Sequence, residues 1–131
     1  MAEVNWIGIL LCGIVSMVLG GLWYSPLLFG KSWQSGAGLS DEELARGNMA
    51  LIYGGAFLLS LAAAVVFALL VGHPHGMLPW TLAGAAAGAV VAAAFGINYR
   101  FERRSLSQWL INGGYHLLQF TLFGLILAHF P

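Results

Sequence analysis

Residues Met77 to Tyr99 read MLPWTLAGAAAGAVVAAAFGINY, and Arg100-Phe101-Glu102-Arg103-Arg104-Ser105 follows directly. The first stretch has no Asp, Glu, Lys or Arg and exceeds the roughly 20 apolar residues that a helix needs to cross a bilayer. The second holds three of the chain's 5 basic side chains. Working outward, three more uncharged apolar runs appear, at about 4–25, 49–71 and 106–128. The other two cations, Lys31 and Arg46, lie between the first and second runs. The central connection and both ends carry no Lys or Arg. In a four-span chain the first and third connections share a side, and short basic connections stay in the cytoplasm. The bias therefore predicts a fixed orientation with both termini outside the cytoplasm. The predicted fold class is an all-α membrane protein. Its four transmembrane helices pack as one bundle over 1–131, with a cytoplasmic loop and helix start at 26–48.

Composition agrees. Of 131 residues, 60% are hydrophobic and 8% charged, with a mean hydropathy of +0.84, too few charges to cover a soluble surface. The cations sit where the positive-inside rule puts them, so no nucleic-acid partner is expected. Cys12 is single and lies inside an apolar run, which excludes an intrachain disulfide or a cysteine zinc framework. The start, Met1-Ala2-Glu3-Val4-Asn5, has no basic n-region and no small-residue cleavage site follows. The first run is therefore expected to be a retained span and not a signal peptide.

The ends of the runs have their own chemistry. Trp6 opens the first span, and Trp23, Tyr24, Phe29 and Trp33 gather at its inner end like an aromatic belt. Pro26 predicts a stop or kink near Ser25, with Leu27 to Gly30 along the interface. Ser32 to Gly38 is Gly/Ser-rich and reads as loop. Ser40-Asp41-Glu42-Glu43 reads as a capping box stapled by Leu39 and Leu44, and its carboxylates suit the positive helix end better than a metal or acid–base site. The second helix is predicted to start at Asp41 and run unbroken to Val71, about 46 Å at 1.5 Å per residue. Gly72-His73-Pro74-His75-Gly76 reads as a tight outer turn, with Pro79 in the first turn of the next helix.

Small residues recur at every fourth position: Gly8, Cys12, Ser16, Gly20; Ala56, Ser60, Ala64, Ala68; Gly84, Gly88, Ala92, Gly96. In lipid, close backbone approach along such rows drives helix packing. The third span has so few lipid-favouring side chains that it is expected to be largely enclosed by protein. One small bundle can hardly achieve that alone, so a homo-oligomer is expected. The charge bias forces its subunits to be parallel, with cyclic symmetry.

Gln108, Asn112, Tyr115, His116 and Gln119 share one face of the fourth span within an arc of about 100°. Tyr24, Ser25, Asn48, Tyr53, Asn98 and Tyr99 lie at a similar level, so the cytoplasmic half is polar and the outer half dry. One reading makes these groups hydrogen-bonded glue between helices, worth about 0.6 kcal/mol apiece. The other makes Gln108, Asn112, Tyr115, His116, Gln119 and Asn98 the lining of a cytoplasm-facing cavity for a small solute or ion, with His116 the ionisable centre. His73, His75 and His129 lie near the outer face, but their spacing is not diagnostic of a metal site. His116 has no second histidine at its depth for haem ligation. No catalytic motif appears, and no enzyme activity, metal or cofactor is expected.

Asn5-Trp6, the segment Trp23-Tyr24-Ser25-Pro26-Leu27-Leu28-Phe29-Gly30, and Asn112 followed by Gly114-Tyr115-His116 carry a resemblance. On these residues the chain resembles the small bacterial membrane proteins grouped as domain of unknown function 1761, over essentially its whole length. The resemblance implies four membrane helices in a bacterial inner membrane and carries no activity or functional residue with it. The expected function is an oligomeric channel- or transporter-like protein in contact with membrane lipid. The alternative is a non-transporting interaction or lipid/ligand-binding module. An enzyme acting on a lipid ranks third, with Tyr115 and His116 as its acid–base pair.

Overall fold

The computed structural model describes residues 3–130 and is all-helical among them. The helices are α1 (Trp6–Trp23), α2 (Gly30–Ala37), α3 (Asp41–Ala45), α4 (Met49–Val71), α5 (Met77–Phe101) and α6 (Leu106–His129). Met1, Ala2 and Pro131, the extremes of the single domain expected over 1–131, lie outside the described residues. α1, α4, α5 and α6 are each long and apolar enough to cross a membrane, and the chain is a multi-pass membrane protein. At 1.5 Å per residue they measure from about 27 to about 37 Å, against a hydrocarbon core of about 30 Å. Side chains cap three of the four: Asn5 accepts from the N–H groups of Ile7 and Gly8, Asn48 from Leu51, and Ser105 from Gln108. Each cap satisfies donors that lipid would leave bare.

Two expectations fail in the segment after α1. Ser32 to Ala37 is helical, not loop, because its neighbours decide the matter. The chain reverses at Pro26, where the N–H groups of Phe29 and Gly30 donate to the carbonyls of Trp23 and Ser25 at 3.0 and 2.9 Å. Gly30 presses on the Tyr24 carbonyl, where a Cβ would not fit. The turn lays α2 against α6, with Trp33 edge-on to Tyr24 at 5.4 Å. Gly38, at φ 69°, then supplies the left-handed stop. The second failure is the long helix from Asp41. Its cap forms as read, with Ser40 Oγ accepting from Glu43 N at 3.1 Å and donating to Glu43 Oε1 at 3.2 Å. The helix nevertheless ends at Ala45, since Gly47 favours helix poorly and Asn48 caps a new one by accepting from Leu51 N at 3.1 Å.

α1 lies between α4 and α6, while α5 packs along α6. The α5–α6 contact is glycine against backbone. Gly84 meets the Phe120 carbonyl, Gly124 meets the Trp80 carbonyl, and a Cβ on Gly88 would stand 2.7 Å from Leu117 Cα. The small-residue row of the third span is thus used inside the chain. The expectation that this span is enclosed by protein is not met within the single chain: Leu82, Val90 and Ile97 are 59–70% exposed. Its glycines turn to α6 and its few larger residues turn away. The dry core, comprising Ile9, Cys12, Ala64, Phe67, Trp80, Phe123 and Leu127, fills the half of the bundle remote from the basic connections. At the basic end α4 stands free. Residues 49–54 are all exposed, as is Ala56, so only Ser60 and Ala64 of its small-residue row are buried.

Candidate functional site

The polar side chains of α6 at the basic end meet partners on every other long helix. Gln119 sits deepest and is 4% exposed. Its Nε2 donates to Ser16 Oγ of α1 at 2.9 Å and more weakly to Ser60 Oγ of α4 at 3.4 Å. Both serine hydroxyls already donate to carbonyls of their own helices, Ser16 to Cys12 and Ser60 to Ala56. They can therefore only accept from Gln119, which fixes the amide orientation and turns its Oε1 to His116 Nδ1 at 2.7 Å. His116 must then donate from Nδ1. Its Nε2 is the uncommitted nitrogen, without a partner among the described residues.

One turn nearer the basic end, Tyr24 of α1 donates to Asn112 Oδ1, and Asn112 Nδ2 donates to Tyr99 Oη of α5, both at 2.7 Å. Tyr115 donates to the Ser16 carbonyl at 2.9 Å, and Trp23 Nε1 to the Ile111 carbonyl at 2.8 Å. The aromatic rings close the remaining gaps. His116 stacks on Phe95 at 5.1 Å with planes 12° apart and meets Tyr115 edge-on at 4.9 Å. The result is two hydrogen-bonded groups, Gln119 with Ser16, Ser60, His116 and Tyr115, and Tyr24 with Asn112 and Tyr99, which meet through the Tyr24 and Tyr115 rings at 5.6 Å and together span α1, α4, α5 and α6.

Four of the six residues singled out from sequence therefore come together: Asn112, Tyr115, His116 and Gln119. Gln108 does not join them. It is 2% exposed beneath α2, with Oε1 lacking a partner and the Gly36 backbone packed so closely that a Cβ there would strike it. Asn98 is also apart. It is exposed on the side of α5 turned away from α6, and its side chain has no hydrogen bond among the described residues. The one-residue step to Tyr99 rotates the side chain by about 100°, which is why Tyr99 reaches Asn112 and Asn98 does not. Ser16 and Ser60 were visible in the sequence only as small residues, although their depth matches that of Gln119. Among the described residues no three His, Cys, Asp or Glu side chains group as metal ligands, and His73, His75 and His129 lie exposed.

The open space is elsewhere. A groove of about 410 Å³ runs between the basic ends of α5 and α6. Its inner walls are Ala93, Gly96, Ile97 and Trp109, and its mouth carries Arg100 and Arg104. The Trp109 indole donates from Nε1 to the Ala92 carbonyl at 2.8 Å and lies over Gly96, where a Cβ would come within 2.9 Å of it. Arg104 donates from Nε to Glu102 Oε2 at 2.7 Å, and its guanidinium lies 5.3 Å from the Tyr99 ring centre. In the sequence these cations are explained by topology and by Glu102, and under the lipid-binding alternative Arg100, Arg103 and Arg104 alike would face anionic headgroups. The signal for the groove was the Ala93, Gly96/Ile97, Arg100 spacing on one stripe of α5.

A bundle of four apolar helices joined by polar contacts, with a groove between the basic ends of two of them, defines a small helical integral membrane protein. The model of the family described as "protein of unknown function (DUF1761)" matches residues 7–128, and the chain belongs to that family. No curated protein and no solved structure matches it.

Proposed function

We propose that this protein is a non-conducting, non-enzymatic membrane module that binds a lipid-class ligand from the side, in the cytoplasmic leaflet of a bacterial inner membrane. The observation that carries this reading is the closure of the polar layer. Asn112, Tyr115 and Gln119 spend hydrogen-bonding groups on Tyr24, Tyr99, Ser16 and Ser60, which supports packing over a water-lined path. The dry half beyond the layer, filled by Phe67, Trp80 and Phe123, would block a solute in any case. The groove between α5 and α6 lies at the level of the basic connections, where a lipid could enter from the side. Placing those connections in the cytoplasm follows from the charge bias and puts both termini outside.

The test is reconstitution. Proteoliposomes should show no proton, cation or small-solute flux above empty vesicles, while the purified chain should retain lipid in mild detergent. Saturable flux would overturn the reading.

A second reading rests on His116, whose Nε2 is uncommitted, and on the free-standing first turns of α4. In a parallel homo-oligomer a neighbouring α4 would complete a polar cavity around that nitrogen for a small solute or ion. It requires flux that His116→Leu abolishes while the assembled protein persists.

A further inference from the structure

We propose that the groove between the basic ends of α5 and α6 binds the phosphate of an anionic glycerophospholipid, with the first part of an acyl chain held below it. This rests on the lateral-binding reading above and names its ligand class. The groove has the polarity order of such a lipid. Ala93, Gly96 and Ile97 form the deeper wall, and Arg100 and Arg104 stand at the mouth. From Ala93 to Arg100 is seven residues, about 10 Å along the helix, so the cations lie at headgroup depth when Ala93 lies among the upper methylenes. Its volume of about 410 Å³ falls within the range of small-molecule sites.

The groove is a built feature, beyond the excess of positive charge that topology alone requires. Gly96 lets the Trp109 indole lie flat, and the hydrogen bond to Ala92 fixes it there as a floor. The end of α5 is wound so that the Arg104 N–H donates to the Tyr99 carbonyl at 2.9 Å, which requires Arg103 to adopt φ 57°. That left-handed position is usually glycine. The winding returns Arg104 over Tyr99 while Glu102 holds its Nε, so the terminal guanidinium nitrogens are left for a ligand. A guanidinium offers a phosphate paired donors in a fixed plane. Arg103, from the same connection, does not line the groove. It is the internal control.

The full chain is purified in mild detergent and offered equal amounts of phosphatidylglycerol and phosphatidylcholine with identical acyl chains, and bound lipid is counted by native mass spectrometry. The wild type should retain the anionic lipid preferentially. Arg100→Gln and Arg104→Gln should each lower that preference about fivefold, while Arg103→Gln, with the same loss of charge, should leave it near wild type. Ala93→Phe should weaken retention with every charge in place. Thermal unfolding followed by circular dichroism checks that the rim variants remain folded. Equal losses from Arg103→Gln and Arg104→Gln would mean a diffuse electrostatic shell and overturn the site. Displacement of the lipid by millimolar inorganic phosphate would identify a free-anion site and overturn the lipid assignment. Lipid retained without headgroup preference, together with absence of flux, would sink this site yet leave the lateral-binding reading standing. Solute flux would sink that reading itself.

Discussion

Gly88→Ala adds one methyl group at the closest approach of α5 and α6. The new Cβ would stand 2.7 Å from Leu117 Cα and 2.9 Å from the carbonyl oxygens of His116 and Leu117. All three are backbone atoms, so no side-chain rotation relieves the contact. Ordinary Cβ contacts begin at 3.4 Å, which requires the helices to part by about 0.7 Å at this point. Overpacking of this kind costs about 1–3 kcal/mol. Replacing a helical glycine by alanine returns up to about 1 kcal/mol. Three backbone contacts under 3.0 Å place Gly88→Ala at about 2–3 kcal/mol of overpacking. The net expectation is therefore a loss of about 1–2 kcal/mol, or a five- to thirtyfold shift toward the unfolded state in a denaturing-detergent titration. Gly21→Ala is the matched control, with nothing within 4 Å of its Cβ, and should be neutral or slightly stabilising. Since the contact is within one chain, the loss should be independent of protein concentration. A Gly88→Ala variant as stable as wild type, or one that loses only self-association, would refute the assignment of this glycine row to the α5–α6 seam.

Gln119→Leu removes the side-chain bonds to Ser16, Ser60 and His116 and should cost about 2 kcal/mol, taking about 0.6 kcal/mol for each; an unchanged unfolding titration would contradict the polar layer. Gly30→Ala should loosen the turn that lays α2 against α6, because its Cβ would meet the Tyr24 and Ser25 backbone. Faster hydrogen exchange confined to residues 30–37 is the expected readout, and unchanged protection would show that α2 is not held there. A reporter active only in the cytoplasm should work near Gly36 or Ser105 and fail after Pro131, the reverse pattern sinking the proposed orientation.

The four spans were legible because each is a long uncharged run, and the membrane imposes a length that composition reveals directly. The cap at Ser40 was legible because a serine followed three residues later by a glutamate marks a helix start. α2 was not, since GKSWQSGA has no helical argument of its own and owes its form to the turn at Gly30 and the bed provided by Gln108. The break at Gly47 and Asn48 was missed because a good cap at Ser40 predicts where a helix starts and says nothing of where it stops. For the site, helical angle placed Asn112, Tyr115, His116 and Gln119 on one face of α6. It could not show which helices supply the opposite half of each hydrogen bond. That half came from Ser16, Ser60, Tyr24 and Tyr99.

This complementarity supports the glue reading over the cavity reading. An aqueous cavity needs polar groups with donors or acceptors left over for water, and a packing layer needs them spent. Asn112 gives its carbonyl oxygen to Tyr24 and an amide hydrogen to Tyr99, while Gln119 divides its amide between three helices. Each of these bonds is weak in lipid, yet cutting any one would strand a polar group where the hydrocarbon offers no substitute. The layer therefore holds helices whose apolar surfaces gain nothing from one another over lipid. Lying at the polar end of the bundle, it also fixes Tyr99 against Asn112, and Tyr99 is the ring beneath the Arg104 guanidinium. The residues that looked like a cavity lining in the sequence are thus joined, through Tyr99, to the proposed groove between α5 and α6, which Arg100 and Arg104 also line.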